Sequence, residues 1–259
     1  MRQELEAIAR EAGDLALGCF GDEALQVEAK GPLDLVTRAD REVERFIVDR
    51  LRRLFPADGI LGEEGTAAQS EIGRTWIIDP IDGTFNFVRG GAEWGVSIGL
   101  YHDGAPRFGV VRLPVMHETF SGGTDHLALL NGAPVKRRRA FDPSRACVSI
   151  GLAAGVPVRD QSAALAFLLE AGVAIRCCGS CVAAMMEVAR GETDGYIGLG
   201  EHSWDVMAAI PIVEALGART TIPWNDAALR GTLRFVSGVP SLVESLHPFI
   251  FKGFSKHEN

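Results

Sequence analysis

No stretch of the 259-residue chain stays apolar long enough to cross a bilayer, which sets aside a helical membrane protein. The first residues, Met1-Arg2-Gln3-Glu4-Leu5-Glu6, carry charge where a secretory signal carries an apolar core. A cytoplasmic protein without a membrane partner is therefore expected. Cysteine is sparse and odd in number, and five such residues fit reduced thiols better than a disulfide framework. Cys178-Gly179-Ser180-Cys181, beside Cys177, has the spacing of a redox or zinc pair, but no second pair completes a structural zinc site. These cysteines read as small buried hydrophobes at a strand-to-helix turn. Basic charge is also short. Against 34 Asp and Glu stand 26 Lys and Arg, and the formal net charge of -8 has the wrong sign for a nucleic-acid binder. The one dense basic run, Lys136-Arg137-Arg138-Arg139, follows a turn-like Asn131-Gly132-Ala133-Pro134 and reads as a solvated loop or strand end. The glycines at 195, 198 and 200 lack the dinucleotide fingerprint spacing, so a Rossmann site is excluded. No internal repeat or low-complexity linker interrupts the chain.

What is present is the balance of a globular protein, with 47% hydrophobic and 23% charged residues. Leu5, Ile8, Ala9, Ala12, Leu15, Ala16 and Cys19 recur at helical steps and predict an opening amphipathic helix. A second helix is predicted with Asp40 as N-cap and an apolar face of Val43, Phe46, Ile47, Leu51 and Leu54, ending at Phe55-Pro56. Residues 75–78 read as a buried strand running into Asp79. Residues 96–101 alternate as a strand, and residues 107–113 pair with them across Asp103-Gly104. A further strand is expected at 117–120. From about residue 145 strands and helices alternate: strands at 146–150, 173–176 and 195–197, helices at 161–170, 180–189 and 204–216. Pro211 should kink the last helix. Two pattern regimes, about 1–140 and 141–259, point to two intimate subdomains of one α/β unit, with only the tail from residue 252 expected to be disordered.

The chemistry concentrates at Asp79-Pro80-Ile81-Asp82-Gly83-Thr84. Two carboxylates at the end of an apolar strand repel one another, and a divalent cation resolves that cost. Gly83 and Thr84 open a possible helix whose backbone amides suit a phosphate. Metal carboxylates beside phosphate-binding amides make a coherent phosphoryl-transfer site. Two more acidic elements could join: Glu63-Glu64, flanked by Gly62 and Gly65 after Ile60-Leu61, and Asp205 in the first turn of a helix. Each alone reads as a solvated turn or a cap. His202 reads as support for its turn rather than as a general acid.

Taken together, Asp34-Leu35-Val36-Thr37-Arg38-Ala39-Asp40, Gly62-Glu63-Glu64, Trp76 through Phe87 and Trp204-Asp205 resemble the inositol monophosphatase family, in the family's order. Gly109-Val110-Val111 and Asn131-Gly132 add to the likeness. The resemblance implies a layered αβαβα sandwich of the sugar-phosphatase type, a single domain over 1–259, a homodimer, and lithium inhibition. It implies two to three Mg2+ ions per site. Glu63, Asp79 and the Ile81 carbonyl would hold one, Asp79, Asp82 and Asp205 a second, and a weaker third would sit near Glu63. Thr84, supported by Asp40 and Glu63, would position and help deprotonate the attacking water. Asp82 and the Gly83 and Thr84 amides would face the phosphate, and Gly179, Ser180 and Cys181 the alcohol. Gly198 stands where inositol phosphatases carry a ring-gripping glutamate, and Glu201 is nearby in a different register. The implied substrate is a small phosphorylated metabolite, best inositol monophosphate, with histidinol phosphate, fructose 1,6-bisphosphate or a nucleotide 3′-phosphate as alternatives. Asn86 favours the inositol-type branch. A haloacid-dehalogenase-type phosphatase would place one residue, not Pro80-Ile81, between its aspartates. A non-catalytic metal- or phosphate-responsive protein would lack a carboxylate or the threonine.

Overall fold

A computed structural model describes residues 1–22, 27–31, 34–136 and 141–252. Arg137, Arg138 and Arg139 of the basic run, and the tail from residue 253, lie outside the described residues. The chain opens with helix α1 (Arg2–Leu17), whose Leu5, Ile8, Ala9, Ala12 and Ala16 are buried as their spacing predicts. A hairpin of β1 (Val27–Gly31) and β2 (Asp34–Thr37) leads into α2 (Arg38–Leu54). Here the structure corrects the expected cap. Thr37, in an extended conformation, is the N-cap of α2, and Asp40 occupies the third helical position and closes a capping box.

Strands β3 (Gly59–Gly62), β4 (Ala67–Ala68) and β5 (Thr75–Asp82) precede a five-residue helix α3 (Thr84–Val88). A meander follows: β6 (Gly95–His102), β7 (Ala105–Leu113), β8 (Glu118–Gly123), β9 (His126–Leu130) and β10 (Ala133–Pro134). The predicted β6–β7 turn is present, with positive φ at Asp103 and Gly104, the geometry of a tight two-residue hairpin. The eight strands β3 to β10 form one sheet in the order β10-β9-β8-β7-β6-β5-β3-β4, antiparallel except for β3 beside β5.

The remaining elements alternate, as expected up to residue 216 and with four further elements beyond it: β11 (Cys147–Gly151), α4 (Val158–Glu170), β12 (Ala174–Arg176), α5 (Cys181–Arg190), β13 (Gly195–Glu201), α6 (Ser203–Val206), α7 (Ala209–Glu214), β14 (Arg219–Thr220), α8 (Asp226–Arg230), β15 (Leu233–Gly238) and α9 (Pro240–Lys252). Their strands make a second sheet, β12-β11-β13-β15-β14, parallel on the β12-β11-β13 side only. Three apolar clusters stack these layers. One packs α1 and α2 on the first sheet, the next packs α5, α6 and α7 between the two sheets, and the last packs α4 and α9 on the second sheet. The result is the αβαβα sandwich.

The single helix expected at 204–216 is divided into α6 and α7. Met207 and Ala208 keep right-handed helical backbone angles, but Pro211 has no N–H to offer the Met207 carbonyl, so hydrogen bonding lapses there. That segment lies directly on sheet backbone. Gly99 and Gly109 are paired across β6 and β7, and a Cβ at Gly99 would come within 2.6 Å of Met207 while one at Gly109 would overlap the Ala208 main chain. This glycine furrow sets the height of α6 over the first sheet and thereby the position of Asp205. Gly109→Ala should therefore cost about 1–3 kcal/mol of stability, as overpacking does. Gly155→Ala, where a Cβ meets nothing within 4 Å, should be close to neutral. Thermal melts of both variants check this, and equal melting temperatures would contradict the furrow's role.

Candidate active site

The site grows from an irregularity in β5. In a regular strand, residues three apart point to opposite faces. Asp79 pairs with Ser97 and Asp82 with Gly95, so β5 spends one residue more than β6 over this span. That bulge turns both carboxylates to one side. Within it, Ile81 N–H donates to Asp79 Oδ1 at 3.0 Å. Gly83 then takes a left-handed conformation (φ 88°), and a Cβ there would press to 2.9 Å on both the Glu93 carbonyl and Ser180. Only glycine fits both demands.

Asp205 reaches the same place from α6. Its carboxylate accepts the His202 N–H at 2.6 Å, and Ser97 Oγ donates to the Trp204 carbonyl at 3.1 Å, tying α6 to β6. Asp79, Asp82 and Asp205 each offer an oxygen within 4.8 Å of the others, a span that one divalent cation can bridge. Glu63, after β3, lines the same cleft of about 200 Å³, as do Ile81, Gly83, Thr84, Gly179, Ser180 and Cys181. Asp40 stands behind the cleft wall, fully buried. Its Oδ2 accepts from Thr37 N–H (2.8 Å) and Oγ1 (2.5 Å), and its Oδ1 faces Thr84 Oγ1 at 3.2 Å. The Thr84 hydroxyl is also 3.0 Å from the Ile81 carbonyl.

Asp82 is held from across the molecule. Val182 N–H, in the first turn of α5, donates to its Oδ2 at 2.9 Å, and the Ser180 hydroxyl donates to the same oxygen. Ser180 also caps α5, accepting from Ala183 N–H at 3.2 Å. Asn86 Nδ2 donates to the carbonyls of Glu93 and Cys178, both at 2.7 Å, and so fastens the loop after α3 to the turn before α5.

The electrostatics follow from this crowding. Burial, then the charges of Glu63, Asp82 and Asp205, push the Asp79 carboxyl well above its usual range. Burial does the same to Asp205, with Glu201, Asp82 and Glu63 adding to it. Burial lifts Asp82 to about 6 against the opposing hydrogen bonds from Ser180 and Val182. Burial also raises Asp40 despite its bonds from Thr37 and Thr84. No described lysine or arginine lines the cleft. Carboxylates desolvated together without a basic partner fit a divalent cation. The thiols do not compete for it. Burial pushes Cys178 up to about 12 and Cys181 well above its ordinary value, so both stay protonated near neutrality, and all five cysteines are free.

Sequence reasoning missed Glu44. This buried α2 carboxylate accepts from Glu64 N–H (2.8 Å), Thr66 N–H (3.1 Å) and Thr66 Oγ1 (2.6 Å), and so shapes the turn that carries Glu63. Gly62 is the available signal, because a Cβ there would overlap the Glu44 carboxylate. Tyr196 was likewise unforeseen. It is buried at the cleft and donates its hydroxyl to Glu201 Oε1. His202 stacks on Trp204, with ring centroids 4.7 Å apart, and is not among the residues lining the cleft.

The sequence profile of the inositol monophosphatase family matches residues 1–247. The chain belongs to that family. It is 36% identical over 217 residues to a histidinol-phosphatase of Chlorobaculum parvum, covering 81% of each chain. It is 33% identical over 240 residues to an inositol-1-monophosphatase of Bacillus subtilis, covering 90% of this chain and 88% of the relative. The extragenic suppressor protein suhB of Bartonella henselae superposes with a TM-score of 0.88 at 27% identity, covering 97% of this chain and 98% of that one. The phosphatase is therefore an enzyme of the phosphoric monoester hydrolase class, which retires the non-catalytic and haloacid-dehalogenase-type readings.

The raised carboxyls carry a signed expectation. Asp82 binds its proton more tightly folded than unfolded, so its contribution to metal-free stability falls as pH rises from about 4 toward about 6. The melting temperature of metal-free Asp82→Asn should accordingly exceed that of the wild type by a margin that grows between pH of about 4 and about 7. Magnesium should reverse the order at neutral pH, and thermal scans in chelator and in magnesium measure both effects.

Proposed function

We propose that the chain hydrolyses a small phosphate monoester to the free alcohol and phosphate, with magnesium as its cofactor. The observation that supports this most directly is the convergence of Asp79, Asp82 and Asp205, oxygen to oxygen within 4.8 Å, beside a threonine that contacts a buried carboxylate. Glu63, Asp79, the Ile81 carbonyl, Asp82 and Asp205 would hold two or three ions. Bound there, the cations supply Lewis-acid polarisation of the phosphoryl group and a water of lowered pKa.

The chain's own residues account for the proton. Thr84 has one hydroxyl proton and two acceptors, Asp40 Oδ1 and the Ile81 carbonyl. When its proton moves to Asp40, Thr84 Oγ1 can take one from the attacking water. Asp40 suits that receipt, because burial favours its protonated form. Gly83 and Thr84 amides, at the first turn after β5, would face the phosphate, while Gly179, Ser180 and Cys181 would face the alcohol. Lithium sensitivity, a homodimeric state and a cytoplasmic location complete the proposal. Among the described residues no helix is long and apolar enough to cross a membrane.

Inositol monophosphate, the reading that Asn86 favours, and histidinol phosphate are the two leading substrates, and the names of the two relatives support one each. Asp82→Asn should lower turnover by at least about a hundredfold while still unfolding cooperatively, because it removes a charge from the site and retains the side chain's size. A magnesium-dependent phosphate-release assay on inositol 1-phosphate, histidinol phosphate, fructose 1,6-bisphosphate and adenosine 3′,5′-bisphosphate measures it. Undiminished turnover would remove Asp82 from the chemistry.

A further inference from the structure

Helix α2 carries two buried carboxylates on one face. Asp40 and Glu44 stand four residues apart, about one turn of helix, so they project side by side. Asp40 reaches Thr84, and Glu44 reaches the turn after β3. Neither is among the residues that line the cleft.

The turn that carries Glu63 is closed on itself. Gly62 N–H donates to the Thr66 carbonyl at 2.8 Å, and Gly65 N–H to the Gly62 carbonyl at 3.3 Å. Glu44 braces this loop with both oxygens, Oε2 accepting from Glu64 N–H and Oε1 from the Thr66 N–H and hydroxyl. The Glu63 N–H is taken separately, by the Ile78 carbonyl of β5 at 3.2 Å. The amides of residues 63 and 64 are thus pinned by two different elements. With the peptide planes on both sides of its Cα held, Glu63 keeps only side-chain freedom. The position calls for a carboxylate, which offers an acceptor oxygen to each amide and no donor. A carboxamide would turn its NH2 toward one of the two N–H groups.

We infer that Glu44 is a positioning residue for Glu63: by holding the peptide between residues 63 and 64, it sets how tightly the cleft takes a divalent cation without touching that cation. This rests on the metal-site reading above and extends it to a residue outside the cleft. Residues that orient a metal ligand from behind account for about ten- to a hundredfold in affinity. One helix face would then fix both the threonine and the glutamate of the proposed site, Thr84 through Asp40 and Glu63 through Glu44.

Mn2+ shares the preference of magnesium for six oxygen ligands, and its binding to the metal-free protein can be counted by electron paramagnetic resonance. Glu44→Gln should raise the Mn2+ dissociation constant about tenfold or more. Hydrogen exchange at the amides of residues 64 and 66 should quicken by about tenfold as well. In a Glu63→Gln background the same substitution should change the dissociation constant by less than about twofold, because its target is gone. Val243→Ala, which removes buried volume from α9 on the outer layer of the second sheet, should lower the melting temperature and leave Mn2+ affinity unchanged.

An unchanged dissociation constant in Glu44→Gln overturns the inference. Equal losses with and without Glu63 overturn it too, since they would make Glu44 a ligand in its own right. So does a loss in Val243→Ala as large as that in Glu44→Gln, which would assign the effect to stability. If Glu44→Gln fails to fold, Gly62→Ala takes its place, because a Cβ there displaces only the end of the Glu44 side chain. That variant must weaken Mn2+ binding and speed the same two amides, and intact binding in it overturns the inference as well. A wild type that binds no Mn2+, or whose binding survives Asp82→Asn unaltered, would instead sink the metal-site reading and this inference with it.

Discussion

Mutual repulsion of carboxylates brought together out of water is the interaction on which the arrangement turns. Asp79, Asp82 and Asp205 come from two elements that meet only in the folded chain, and folding drives their charges together rather than relieving them. Part of the strain on Asp82 is met by protein groups, since the Val182 N–H and the Ser180 hydroxyl at the start of α5 both donate to one oxygen. Asp205 receives one N–H from His202. The balance falls to a cation. The same energetic deficit that makes the metal-free cluster costly is what would make it bind a cation, because affinity and destabilisation measure one repulsion from opposite sides.

Holding such a cluster demands stiffness, and the fold supplies it by bringing backbones close. The glycine furrow of Gly99 and Gly109 lets the Met207–Ala208 segment rest on sheet backbone. Gly62 lets the Glu44 carboxylate approach the turn that carries Glu63, and Gly83 lets α3 begin against Ser180. In each case a missing Cβ is exchanged for a fixed distance. Asn86, bonded at 2.7 Å to carbonyls from both halves of the chain, serves the same end with a side chain.

The parts of this design that were legible in sequence are those written as local pattern. Asp79-Pro80-Ile81-Asp82-Gly83-Thr84 announces a crowded turn because strand, carboxylates and glycine are contiguous. The helix phases of α1 and α2 follow from apolar spacing, and the β6–β7 hairpin from Asp103-Gly104. Elsewhere local and tertiary signals compete. Asp40 looks like a cap because it precedes an apolar run, yet Thr37 is the residue with the extended backbone and Asp40 turns its second oxygen to Thr84. Glu44 has no local mark at all, since its partners are the amides of a turn twenty residues away. The division of residues 203–214 into α6 and α7 was half visible in Pro211, while the furrow beneath it is spread over two strands.

The two bulges bring side chains of both sheets to one cleft. In β5 the extra residue brings Asp79 and Asp82 to one side, and losing it would turn one of them away from the carboxylate cluster. In β13 the extra residue serves Glu201, which lines the same cleft beside Asp82 and Asp205. A side chain gained at 198, together with room made at Phe235, would deliver a different group to the same cleft without altering the first sheet. Gly151, Gly198 and Glu201 pack as one unit, in which two absent side chains make space for a third. Reactivity is built where two sheets and two helices must all agree.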